Sequence, residues 1–192
     1  PVSHSFSYTI PNGVSGNRYI YVHTNFDSTF RETSYSNNIS SAASTSVINP
    51  TPADLVVTSV PLADSLFTIY ASKIKYTVTN NGPGSTYGTW TDSIFVSCNP
   101  VYSSANSYFV AKRNHSGSLN TGGSYTDSIT LNMPFSWIYN SCFPQTAATT
   151  AYFFVKTNAS GDVYEAANSN NVTGSGARIL VNPLVDHIVT AV

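Results

Sequence analysis

Asp162, Glu165, Asn168, Asn170 and Asn171 crowd oxygen-bearing side chains into one short stretch, and Asp27, Glu32, Asn37 and Asn38 repeat the pattern earlier in the chain. Such a set has the chemistry of a Ca²⁺ site, which takes six to eight oxygen ligands, and Asp162, Glu165 and Asn170 are its candidate ligands. Two carboxylates per set are few. Asparagine side chains also tie off turn backbone and accept left-handed conformations, so turn-building is the leading reading and no cofactor is expected. Cys98 and Cys142 lack the CxxC spacing of zinc or redox sites and predict one structural disulfide, with two free buried thiols as the alternative. The bond would be worth roughly 3 to 4 kcal/mol in the chain-entropy model and would agree with an oxidising location. His4, His23, His115 and His187 are scattered, with no HExxH, GxSxG or paired-carboxylate spacing around them. Catalysis is therefore not expected.

Hydroxyls and amides offer modification chemistry instead. Asp27-Ser28-Thr29, Asp64-Ser65-Leu66, Asp92-Ser93-Ile94 and Asp127-Ser128-Ile129 resemble an O-glycosylation signal of some Gram-negative bacteria, which makes Ser28, Ser65, Ser93 and Ser128 candidate acceptors. A strand in polar-apolar alternation generates the same triplets without any modification. Asn38, Asn114, Asn158 and Asn171 begin Asn-x-Ser/Thr sequons, which matter only in a cell that uses that pathway. Lys73 and Lys75 raise the Lys–Asn isopeptide chemistry of some surface domains, but they alternate out of phase with Ile74 and Tyr76 and are expected to face water.

The elements that must carry these residues are strands. Apolar residues make up 41% of the chain and aromatic residues 13%, enough for a buried core, while only 9% is charged. Ser, Thr, Asn and Tyr take the place of ion pairs on strand surfaces, a profile that suits the outside of a cell. Eight basic against nine acidic residues leave no basic stripe for nucleic acid, and no apolar run reaches the length of a membrane span.

Compared with itself, the chain places Tyr19-Ile20-Tyr21-Val22-His23-Thr24-Asn25 over Tyr152-Phe153-Phe154-Val155-Lys156-Thr157-Asn158, an offset of 133 residues. Glu32 then falls on Glu165, Ser36-Asn37-Asn38 on Ser169-Asn170-Asn171, and Asn49-Pro50 on Asn182-Pro183. Asp54 and Val57 recur as Asp186 and Val189. A repeat is thus read three times, complete only over 50–182.

Short alternating runs within the complete copy predict seven strands: A at 54–60, B at 71–80, C at 88–98, D at 107–113, E at 124–133, F at 150–158 and G at 176–181. That count predicts an all-β, seven-stranded Greek-key sandwich of the immunoglobulin-like kind, repeated head to tail. Residues 1–49 would supply strands E, F and G of a preceding repeat and 183–192 the first strand of a following one. Either the chain is a window on a longer exported polypeptide, or neighbouring chains donate the missing strands. Strand F carries apolar groups on both faces, which makes Tyr152, Phe153, Phe154, Tyr19 and Tyr21 candidates for lateral contact, with cover by the domain's own loops as the competing reading.

Five pieces in order resemble the CARDB family, bacterial cell-adhesion-related domains found in tandem on large secreted proteins. They are Ala53-Asp54-Leu55-Val56-Val57, Tyr76-Thr77-Val78-Thr79-Asn80-Asn81-Gly82, Trp90-Thr91-Asp92-Ser93-Ile94-Phe95-Val96-Ser97, Gly123-Ser124-Tyr125, and Asp162-Val163-Tyr164-Glu165 through Asn170-Asn171. The resemblance covers 53–182 and implies an Ig-like fold and a spacer or adhesive role without catalysis. The expected function is a structural extracellular repeat in a rod, filament or surface fibre, whose partners are neighbouring repeats or copies of itself. Short Pro-containing connectors favour stiffness. The rival is a glycan- or peptide-binding module of a secreted enzyme, reading surface glycans through Tyr87, Trp90 or Trp137.

Overall fold

The computed structural model describes residues 3–67, 71–132 and 148–180, which contain strands and no helix. The strands are β1 (Gly16–Ile20), β2 (Ala43–Val47), β3 (Leu55–Ser59), β4 (Ser65–Phe67), β5 (Ala71–Asn80), β6 (Thr89–Ser97), β7 (Tyr108–Ser116), β8 (Ser124–Asn132), β9 (Thr149–Lys156) and β10 (Val172–Leu180). They fall into two compact units, Pro1–Pro50 and Thr51–Val192.

Period-two alternation builds the second unit. On β5, Ser72, Ile74, Tyr76, Val78 and Asn80 are buried while Lys73 and Lys75 are exposed, as their phase predicts. Strands β3, β5 and β8 form one antiparallel sheet, and β4, β10, β9, β6 and β7 form the other in that order. Leu55, Val57, Ile74, Tyr76, Val78, Ile94, Val96, Phe153 and Val155 make the core. This is an immunoglobulin-like β-sandwich.

Three details go beyond the expected strands. The run expected as strand D is β7, and it pairs antiparallel with β6, so it belongs to the five-stranded sheet. Strands consecutive in the chain tend to pair, and β7 is the next strand after β6. Strand A is β3, which pairs with β5; after Pro61 the chain crosses to the other sheet, where a strand not expected from the sequence, β4, runs parallel to β10. Proline has no N–H to give a ladder, which ends the first segment.

Strand G starts earlier than expected, at Val172, because Gly174 and Gly176 sit inside β10 instead of in a turn. A Cβ at Gly174 would collide with the Phe154 ring and one at Gly176 with the Tyr152 ring, so these positions are small to seat the aromatic rings of β9.

In the first unit β1 pairs antiparallel with β2, and an isolated bridge joins His23 to Ile39. These are the expected strands F and G. The expected strand E is not formed among the described residues, since 3–15 carry no strand. A strand needs a ladder partner, and among the described residues none pairs with 3–15. Trp137, Cys142 and the segment 183–192 lie outside the described residues.

Candidate functional site

The turn between β9 and β10 is a clamp on the first strand. Asn158 sits at φ 44°, a left-handed conformation asparagine tolerates. Its Nδ2 donates to Val163 O at 3.0 Å and to Glu165 Oε2 at 2.6 Å, while Val163 N–H donates to Asn158 Oδ1 at 3.1 Å. Asn171 Nδ2 adds a second donor to Glu165 Oε2 at 2.6 Å. The other carboxylate oxygen, Oε1, accepts the Leu55 N–H at 2.6 Å. Around it Ala53 N–H donates to Tyr164 O at 3.1 Å, Ala166 N–H donates to Ala53 O at 2.8 Å, and Asn170 Nδ2 donates to Asp54 Oδ1 at 2.8 Å. Burial pushes the Glu165 carboxyl above its ordinary range; the Asn158, Asn171 and Leu55 donors pull the other way, and the nearby Asp54 adds to the rise.

The candidate Ca²⁺ ligands do not converge. Both Glu165 oxygens are engaged by N–H donors, Asn170 turns its amide nitrogen toward Asp54, and Asp162 is exposed and accepts from the Ser160 hydroxyl. Their spacing served a turn, whose donors and acceptors lie on distant strands. Among the described residues no group of three or more His, Cys, Asp or Glu side chains could hold a metal ion.

Part of this bonding recurs 133 residues earlier. Asn25, at φ 48°, donates through Nδ2 to Phe30 O at 2.7 Å and to Glu32 Oε1 at 2.9 Å, and Phe30 N–H donates to Asn25 Oδ1 at 3.0 Å. Thr24 N–H donates to Asn38 O at 2.9 Å as Thr157 N–H does to Asn171 O at 3.0 Å. The bridge between His23 and Ile39 matches the pairing of Lys156 with Val172. The matched Asn, Glu and Asn-Asn positions of the two stretches were the sequence signal for this turn.

A second cluster lies inside the sandwich. Alternation on β6 turns Asp92 inward between Trp90 and Ile94, where it is 0% exposed. Tyr125 OH donates to Asp92 Oδ2 at 2.6 Å, and His115 Nε2 lies 2.8 Å from the same oxygen. Trp90 Nε1 donates to Tyr125 OH at 3.1 Å, and Tyr76 OH lies 3.4 Å from His115 Nε2. Burial first, and Asp92 second, push both phenols far above their ordinary range, which keeps them protonated as donors. At the rim Arg113 grips Asp127 with Nε at 3.0 Å and a second guanidinium nitrogen at 3.3 Å, joining β7 to β8 across the two sheets. The cluster is a polar bolt between sheets.

These placements correct several expected sites. Ser93 is buried on the interior strand β6, between its cross-strand partners Lys112 and Lys156, a poor position for a modified hydroxyl. Ser28 is exposed, and Ser65 and Ser128 are half-buried. Of the sequons, Asn38, Asn158 and Asn171 are buried and Asn114 is exposed. Trp90 belongs to the core and cannot stack on a glycan, whereas Tyr87 is exposed.

Phe153 is in the core and Phe154 is buried on the outer face, so neither is free for lateral contact. Tyr102, from the loop joining β6 and β7, lies edge-on to Phe95 at 5.4 Å and to Phe154 at 5.6 Å. Cover therefore comes from the domain's own chain, through a loop the sequence did not single out. Tyr152 is half-buried, and Tyr19 and Tyr21 are exposed in the first unit. Cys98 follows β6, no cysteine is free among the described residues, and its expected partner Cys142 lies outside them.

The CARDB family model matches residues 52–175, more than half of the chain. No curated protein matches it. Among solved structures, the crystal structure of a CARDB domain from Pyrococcus furiosus, in complex with di-metal ions, is similar at 13% identity and a TM-score of 0.48, covering 70% of this chain and 94% of that one. The solution structure of the same domain gives 14% identity and a TM-score of 0.46, covering 68% and 98%. A mutant β-glucosidase from Listeria innocua, in complex with laminaribiose, gives 15% identity and a TM-score of 0.42; 69% of this chain covers only 16% of that enzyme. The chain belongs to the CARDB family.

Proposed function

We propose that this protein is a structural, non-enzymatic repeat of an extracellular array, in which CARDB sandwiches joined head to tail form a rod, filament or surface fibre that supports adhesion or cell-surface assembly. The observation that supports the reading is the duplicated turn: the bonds of Asn158, Val163 and Glu165 recur at Asn25, Phe30 and Glu32, so one chain holds the same turn twice. A single binding module has no use for the second copy. No metal or cofactor takes part in this role, and its partners are neighbouring repeats or further copies of the chain.

Imaging of the native assembly at side-chain resolution tests it. The expected result is a fibre with sandwiches spaced by the 133-residue repeat. Dispersed single modules, together with glycan-array binding lost in Tyr87→Ala, would replace this reading with the rival binding module.

A further inference from the structure

Two rows of side chains lie next to each other on the outer face of the five-stranded sheet. Ser93 of β6 pairs with Lys112 of β7 on one side and with Lys156 of β9 on the other, and Phe95 pairs likewise with Phe109 and Phe154. A regular strand would turn Phe109 and Lys112 to opposite faces, since they are three positions apart. The register shift between Ile94 and Phe95 leaves Val110 as an extra residue on β7, so that Phe109 and Lys112 share the outer face. The lysine row is uncompensated: the ion pairs among the described residues are made by Arg113 and His115, and Lys112 and Lys156 take part in none. Asp92 faces the core, and Asp127 belongs to the other sheet. In the second row Tyr102 lies against Phe95 and Phe154, while Phe109 is 49% exposed and meets Phe95 edge-on at 6.0 Å.

We propose that this face binds an acidic polysaccharide, with a uronic acid carboxylate held between Lys112 and Lys156 and the apolar side of a sugar ring resting on Phe109. The two lysines stand two strands apart, about 10 Å at the main chain, and their long flexible side chains can meet on one anion. The rows are about 7 Å apart along the strands, so one short stretch of sugar chain touches both. Cations with no carboxylate of their own select a partner of opposite charge, and the exposed ring adds contact area that a small inorganic anion cannot use. Nucleic acid fits less well, because its affinity is summed over many phosphate contacts and two lysines supply few. The inference goes beyond the array reading and does not depend on it, although repetition of a weak site along a fibre would add avidity.

A short oligogalacturonate titrated into the full chain and followed by amide NMR shifts tests the site, with a neutral galactose oligomer of equal length beside it. Saturable shifts on β6, β7 and β9 are expected from the acidic oligomer alone, and added salt should weaken them. Lys112→Gln and Lys156→Gln should each weaken binding about fivefold, the worth of one exposed charge contact. Phe109→Ala should weaken it as well, and Phe109→Tyr, which keeps the ring, should bind as the native chain does. Lys112 and Phe109 are both exposed, so these variants keep the fold. Lys73 and Lys75 provide the control: they are a second exposed lysine pair, on β5, with the hydrogen-bonded hydroxyls of Thr77 and Thr126 beside them in place of aromatic rings. Replacing both by Gln should leave binding unchanged. The proposal is overturned by no saturable shifts, by equal binding of the neutral oligomer, by shifts centred on Lys73 and Lys75, or by equal binding of single-stranded DNA at the same face. Binding that is lost in Tyr87→Ala and untouched in Lys112→Gln overturns it too. Imaging of a native fibre is indifferent to all of these results, so the two readings can fail separately.

Discussion

Glu165 accepts the main-chain N–H of Leu55 at 2.6 Å across 110 positions of sequence. That bond fastens the first strand of the sandwich to its last hairpin, and Asn158 and Asn171 hold the carboxylate in place from behind. In Glu165→Gln one terminal atom becomes a donor facing the Asn158 or Leu55 donors. A loss of about 2 kcal/mol in urea unfolding is expected, with the slope unchanged.

Asp92 is buried with Tyr125 and His115 on one oxygen. Removing one partner of a buried charged set leaves the others uncompensated, so Asp92→Ala should cost about 3 kcal/mol, and Tyr125→Phe about 1 kcal/mol. Thermal denaturation in near-ultraviolet circular dichroism would report both, since Trp90 and Tyr125 lie in the cluster.

Partial burial pushes the Asp127 carboxyl up, but Arg113, the Ser128 N–H and His115 outweigh it and hold the group below its ordinary value of 3.8. A carboxyl depressed in the folded state contributes stability above its unfolded pKa and loses it as pH falls through the folded value. The melting temperature should therefore drop more steeply below pH 4 in the native protein than in Asp127→Asn. The pair is partly exposed, so added salt should shrink the difference.

The outer face of β10 has no room for a methyl at Gly174, because the Phe154 ring lies over it. Gly174→Ala should destabilise by about 1 to 3 kcal/mol through overpacking. Adding Phe154→Leu should recover part of that loss, a non-additivity that a double-mutant cycle measures.

Cys98 and Cys142 are expected to form one disulfide. Intact mass without reductant should then show no free thiol, and Cys142→Ser should lower stability by about 3 kcal/mol. A full complement of alkylated cysteines in the native protein would refute the bond.

Strand identity was legible because period-two alternation is local. Ile74, Tyr76 and Val78 mark the inner face of β5 whatever lies opposite, and the match of 19–25 to 152–158 showed that the motif occurs twice. The all-β class, the edges of most strands and the phase of Lys73 and Lys75 needed no partner to be read. Asp92 lay in that same alternation, facing inward, but its triplet with Ser93 drew a modification reading because sequence does not reveal whether a carboxylate will find Tyr125 and His115. Glu165 was read within a turn, with Ca²⁺ ligation as the lesser alternative, but its partners could not be named, because its donors are spread over Leu55, Asn158 and Asn171. Only the folded chain decided that β4 would lie along β10, that Tyr102 would cover Phe154, and that Gly174 would seat a ring. Each of those outcomes depends on groups brought together by sheet pairing and packing across long sequence separations, and the energy of a buried polar atom is set by such neighbours.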